Sequence, residues 1–228
     1  AHLPQNTKYT VIGYEIFYNC ENLKEIEIPE YVTRIESESF YDCVELQEIK
    51  FNPYVTVIGD LAFYNCNIEE LRLPKKCDSL GSNAFGQCEQ LKSVFINKKL
   101  TNTSGGLWDY EGPFWKCSLL NNVVFESGIT EIPASIFAGC TGIQDIEIPD
   151  TITVISDYAF QDCVNLKKIE FPSALKKIGQ SAFENASLLK DIVWNDGIEE
   201  IESNAFKGCM SIETMNIPDS VNSLGTYV

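Results

Sequence analysis

Histidine is almost missing from this chain: the only one in 228 residues is His2, which excludes a Ser-His-Asp or Cys-His pair built within the body of the protein. Positive charge is scarce as well. Seventeen Lys and Arg stand against 33 Asp and Glu, a net charge of −16, and a chain without a basic surface cannot neutralise the phosphates of a nucleic acid. Anionic membrane surfaces are disfavoured on the same ground. Apolar runs break after a few residues at a Glu, Asp, Lys or Asn, so no membrane insertion is expected. The opening AHLPQNTKYT has neither the basic start nor the apolar middle of a secretory leader. Gly105-Gly106 lacks the spacing and the lysine of a phosphate-binding loop, and no Asp-x-Asp-x-Asp-Gly calcium loop occurs. No cofactor and no metal site are therefore expected. Carboxylate pairs such as Glu25/Glu27 and Asp145/Glu147 are of the residue type used in glycoside hydrolysis. Polar residues recur at those positions in unit after unit, however, and this is the pattern of a solvated strand face.

What the chain does have is phenylalanine and cysteine in step. Phe17, Phe40, Phe63, Phe85, Phe114, Phe137, Phe160, Phe183 and Phe206 are each followed three residues later by a cysteine, except that Ala186 takes the place after Phe183. The period is 23 residues, with one unit of 22 and one of 29. Three residues beyond the cysteine a phrase of the form Leu-x-x-Ile-x-Ile begins, as in Leu23/Ile26/Ile28 and Ile143/Ile146/Ile148. Its end alternates apolar and polar, the period of a strand with one buried face. Proline then closes it at Pro29, Pro74, Pro149, Pro172 and Pro218, and a second apolar pair such as Val32/Ile35 or Ile152/Ile155 precedes the next phenylalanine. Each unit thus reads as strand, turn, short extended piece, then an Ala-Phe corner expected to form one helical or 3₁₀ turn. Units of this size cannot bury their own apolar residues, so neighbours must stack into a solenoid.

The phrases LKEIEIPEYVTRIESESFYDC from Leu23 and IQDIEIPDTITVISDYAFQDC from Ile143 resemble the BspA-like leucine-rich repeats, and the resemblance covers essentially the whole chain. It implies a leucine-rich-repeat solenoid with a curved parallel β-sheet on the concave face, and short strands, turns or 3₁₀ pieces on the convex side. It also implies an extracellular or cell-surface location, often with an adhesive role, and no catalytic residues. On this reading residues 1–228 form a single domain of about nine repeats with an insertion at 97–113. Partial repeats at both ends give the expectation of a fragment of a longer chain, because solenoid termini need caps.

Eight of the nine cysteines lie on the Phe-x-x-Cys ladder, and Cys77 fills a slot otherwise held by Val, Ile or Leu. Disulfides, a metal site and plain packing compete as explanations. Coils stacked at about 4.8 Å hold successive cysteines parallel, whereas a disulfide needs converging Cβ atoms about 3.8 Å apart and zinc needs four ligands around one point. Packing fits best, and Ala186 in the same slot agrees with it.

Function then belongs on a surface. The outward residue of each strand phrase reads Glu27, Lys50, Arg72, Phe95, Val124, Glu147, Glu170, Val193 and Asn216 down the stack, a line that turns apolar at its middle. The six extra residues fall in that same middle, in the segment NKKLTNTSGGLWDYEGPFW with Trp108, Tyr110 and Trp115. Insertions in repeat proteins emerge as loops, and exposed Trp and Tyr suit interface hot spots; alternatively, Trp108 folds back to cover a widened coil. The candidate partner-binding residues are Phe95, Val124, Trp108, Tyr110, Lys50 and Arg72. Nine strands span roughly 40 Å, room for a standard interface of about 800 Å² per partner. The sequence thus favours a non-catalytic module that binds a protein or glycan, such as a host matrix or cell-surface component. A structural spacer is the alternative.

Overall fold

The computed structural model describes residues 3–4, 9–103 and 111–228. Two lines of short parallel strands run along a solenoid. The strands in chain order are β1 Val11–Ile12, β2 Glu25–Glu27, β3 Arg34–Ile35, β4 Glu48–Lys50, β5 Val57–Ile58, β6 Glu70–Arg72, β7 Ser79–Leu80, β8 Ser93–Ile96 and β9 Asn102–Thr103. They continue with β10 Asn122–Phe125, β11 Glu131–Ile132, β12 Val154–Ile155, β13 Lys168–Glu170, β14 Lys177–Ile178, β15 Asp191–Val193, β16 Glu200–Ile201 and β17 Ser223–Leu224. The first line, on the concave face, falls into three pieces, β2-β4, β6-β8-β10 and β13-β15. The second falls into two, β1-β3-β5-β7-β9 and β11-β12-β14-β16-β17. The phrases Ile143/Ile146/Ile148 and Ile212/Met215/Ile217 form no strand, against the sequence expectation, although Ile143 and Ile148 are buried.

Registry between coils locates the extra residues. Leu80 pairs with Thr103, so the regular coil continues through Thr103 and the lengthening lies between it and Phe114. In this coil the two slots of the second apolar pair are filled by Leu100 and Thr103, which are 2% and 6% exposed. Thr103 Oγ1 donates to the Ala134 carbonyl, a hydrogen bond that lets a polar residue occupy a core slot.

The corners differ from the expected helical or 3₁₀ turn. Around each core phenylalanine the residues two before and two after it take positive φ in most coils, as Glu38 (57°) and Asp42 (55°) beside Phe40, and Ser181 (52°) and Asn185 (61°) beside Phe183. A residue in the left-handed region ends any helical run, so the corner consists of two successive turns, with Tyr41 N donating to Glu38 O and Cys43 N to Phe40 O. The same geometry turns the intervening amides along the solenoid axis. Glu38, Phe40 and Asp42 donate to the carbonyls of Asp60, Ala62 and Tyr64 in the next coil at 2.9, 2.8 and 3.0 Å. The corners therefore form a third hydrogen-bonded line.

Inside, the nine phenylalanines stack as one column. Ring centroids are 4.8 Å apart for Phe40 and Phe63, with planes within 4° of parallel. The spacing opens to 5.8 Å from Phe85 to Phe114 and 6.3 Å from Phe114 to Phe137, beside the lengthened coil. Fully burying one such ring stabilises by about 1.5–3 kcal/mol, so each coil gains cohesion from the ring of the next.

Candidate binding face

Strand alternation sends one residue of each β2-type strand inward and its neighbours outward, which gives the exposed, buried, exposed pattern of β2, β6 and β13. At the middle of the face β6, β8 and β10 pair in register, so that Arg72 lies beside Phe95 and Phe95 beside Val124. The Arg72 guanidinium carbon sits 4.2 Å from the centroid of the Phe95 ring, a cation–π contact. Val124 is 44% exposed and Phe95 half-buried. Around them Glu70, Ser93 and Asn122 complete a shallow depression of about 480 Å³. Arg72 and Glu70 carry charge along its β6 side.

Three of the six sequence candidates, Arg72, Phe95 and Val124, are thus brought together. Lys50 is exposed on β4, which pairs with β2 and not with β6; its ammonium lies 3.4 Å from Glu48 Oε1, and of its strand Ile49, not Lys50, lines the depression. Trp108 and Tyr110 lie outside the described residues. Trp115 is half-buried and packs against Gly139, where an added Cβ would come within 2.1 Å of Trp115 Cε3.

Comparison with known proteins agrees with this architecture. The profile of the BspA type leucine rich repeat region matches residues 10–109 and 110–228, in six copies. The chain belongs to the BspA-type leucine-rich repeat family. No curated protein matches it. Among solved structures, a leucine-rich repeat protein from Bacteroides ovatus superposes with a TM-score of 0.57 at 20% identity, covering 95% of this chain and 78% of that one. Another, from Eubacterium ventriosum, gives a TM-score of 0.50 at 18% identity, covering 97% and 80%. A leucine rich cell surface protein from Faecalibacterium prausnitzii is 27% identical over 78% of this chain and 62% of its own, with a TM-score of 0.42. The first two likenesses show the fold.

In this BspA-type solenoid all nine cysteines are free, eight of them buried and Cys20 half-buried. They do more than fill space. Cys43 Sγ donates to the Phe17 carbonyl of the preceding coil at 3.2 Å, and the same bond recurs from Cys88 to Phe63, Cys117 to Phe85, Cys163 to Phe137 and Cys209 to Phe183 at 3.1–3.2 Å. Burial pushes the buried ladder thiols from Cys43 onward up, Cys88 to about 12 from an ordinary 9.0, because a thiolate there would lose its water. These are unreactive thiols. Among the described residues no cluster of His, Cys, Asp and Glu could hold a metal ion.

A second device escaped the sequence reading. Where proline does not close the strand phrase, asparagine does in three coils: Asn52, Asn97 and Asn195. Asn97 Nδ2 donates to the carbonyls of Pro74 and Cys77 at 2.7 and 3.1 Å while its Oδ1 accepts from Lys99 N at 2.7 Å. Asn52 and Asn195 repeat this arrangement against Pro29 and Pro172. Each asparagine thus builds its own turn and satisfies the carbonyl left by the proline one coil earlier.

Proposed function

We propose that residues 1–228 act as one non-catalytic recognition module of a secreted or cell-surface protein, binding a protein or glycan through the concave face around Arg72, Phe95 and Val124. The observation that carries this reading is the apolar centre of the face at β8 and β10: a half-buried ring and an exposed valine, bordered by Arg72, Glu70, Ser93 and Asn122. An apolar spot ringed by polar groups is the arrangement in which a few residues supply most of the binding energy, because the ring excludes water from the centre. Arginine already held over an aromatic ring loses less freedom when a partner closes over it. The BspA-type family and the open sheet face, which offers no enclosed cleft for chemistry, support binding over catalysis.

The test immobilises the chain and measures capture of extracellular matrix proteins and glycans. Phe95→Ala and Arg72→Ala are each expected to weaken the captured partner by at least about tenfold, the scale of a hot-spot residue. Lys50→Ala, outside the depression, is expected to change it little. Equal capture by the Phe95 and Arg72 variants would place the interface elsewhere, and no capture by the native chain would favour a spacer.

A further inference from the structure

Aromatic side chains also gather away from the concave face. The residue after each core phenylalanine forms a line along one edge of the solenoid, and in its first half this line reads Tyr18, Tyr41, Tyr64, Gly86 and Trp115. The tyrosine rings stack at 4.9 Å with planes within 9° of parallel. The stack stops at Tyr64, since Gly86 brings no ring to the next coil.

Beside Tyr64 and Trp115 lies a groove of about 510 Å³ lined also by Glu38, Asp60 and Glu111. Among the described residues none of these three carboxylates meets a cation, whereas acids elsewhere do, as Glu69 with Lys92 at 2.8 Å and Glu202 with Lys177 at 2.7 Å. Asn83 stands in the same wall, 4% exposed. Its Nδ2 donates to Glu111 Oε2 at 2.5 Å, but its Oδ1 accepts no hydrogen bond. Leaving a buried acceptor without a donor costs about 1–3 kcal/mol. The groove therefore combines aromatic walls with an excess of acceptors, and its charge is negative despite Lys116 at its rim. Burial and then the nearby Glu111 carboxylate raise the Tyr64 phenol, which agrees with an electron-rich wall.

We propose that this groove is a second binding site, which takes the guanidinium of an arginine on an extended segment of a partner protein. Guanidinium is planar and stacks on aromatic faces, and it carries five N–H donors in a fixed fork. It can lie against Tyr64 and Trp115 while donating to the Glu111 and Asp60 carboxylates. An ammonium supplies charge without the plane, and an acidic segment is repelled by the groove and by the chain's net charge of −16.

The native chain is titrated with acetyl-Gly-Arg-Gly-amide and with its lysine and citrulline counterparts, following the Trp115 indole and the Asn83 side-chain amide by NMR. The arginine peptide is expected to shift both signals, the lysine peptide to bind more weakly, and the uncharged citrulline peptide not to bind. Glu111→Gln and Asp60→Asn are each expected to weaken the arginine peptide by about tenfold, the loss of one charge-assisted hydrogen bond. Arg72→Ala, on the concave face, leaves it unchanged. Equal binding of the lysine or citrulline peptide overturns the proposal, as does undiminished binding by both carboxylate variants. No shift in the native chain, the outcome if residues 104–110 themselves fill the groove, overturns it too.

Discussion

The cysteine of each repeat acts at the level of a single carbonyl. Phe17 O already accepts from Cys20 N at 3.1 Å, and the Cys43 thiol of the next coil supplies its second donor at 3.2 Å. Phe160 O is the exception: it accepts from Cys163 N, but the next coil offers Ala186. Ala186→Cys is accordingly expected to stabilise the protein by about 0.5–1 kcal/mol, the worth of a weak hydrogen bond, read as a higher urea midpoint at unchanged slope. An unchanged midpoint would mean that the slot values volume alone. Size, burial and the free state of these residues were legible from the parallel ladder. The hydrogen bond was not, because its acceptor is backbone in the preceding repeat and side-chain patterns carry no trace of it.

At the scale of the element, the strand ends are the informative positions. Proline there reads at once as a stop, while asparagine reads as an unremarkable polar residue until its amide is seen bridging two coils. Asn97 is 1% exposed, so truncating it takes the side-chain donor from the Cys77 carbonyl, leaves the Pro74 carbonyl with Cys77 N alone and frees the Lys99 amide. Asn97→Ala should cost about 2 kcal/mol, against little change for Asn121→Ala on the exposed surface, as measured by chemical denaturation. The positive-φ corners leave a clearer trace in the sequence. The position two after phenylalanine is Asn, Asp or Gly in Asn19, Asp42, Asn65, Gly139, Asp162, Asn185 and Gly208, the residues that tolerate the left-handed region. Missing strands at 145–148 had no such signal. Alternation reports which side chains face inward, and the distance between neighbouring backbones is a separate matter. The candidate face was legible for the same reason the strands were, since period two assigns Arg72, Phe95 and Val124 to one side; their contact needed the register.

For the whole molecule, the buried thiols sum to a pH dependence. Burial raises Cys43 to about 11 and Cys77, Cys88 and Cys209 to about 12 from 9.0, and it raises Cys66, Cys117, Cys140 and Cys163 as well. Once pH passes 9.0 the unfolded chain releases these protons while the folded chain keeps them, so the folded state binds more protons and stability falls. The contribution is complete below pH 9.0 and is lost as pH climbs toward the folded values. Urea midpoints under reductant should stay level from about pH 7 to about pH 8.5 and drop steeply by about pH 10.5. A Cys88→Ala/Cys117→Ala variant should start lower and fall less. A flat profile in the native chain would refute the burial argument.

The interruptions in the two strand lines never coincide. Where the concave sheet parts, between β4 and β6, the second line holds through β5 and β7; where the second line parts, between β9 and β11, β8 and β10 pair over four residues. The corner amides cross that same joint, Lys116 N reaching Gly139 O at 3.1 Å. The coils are therefore laid like bricks in staggered courses, and tension along the axis meets no plane of cleavage at the lengthened coil.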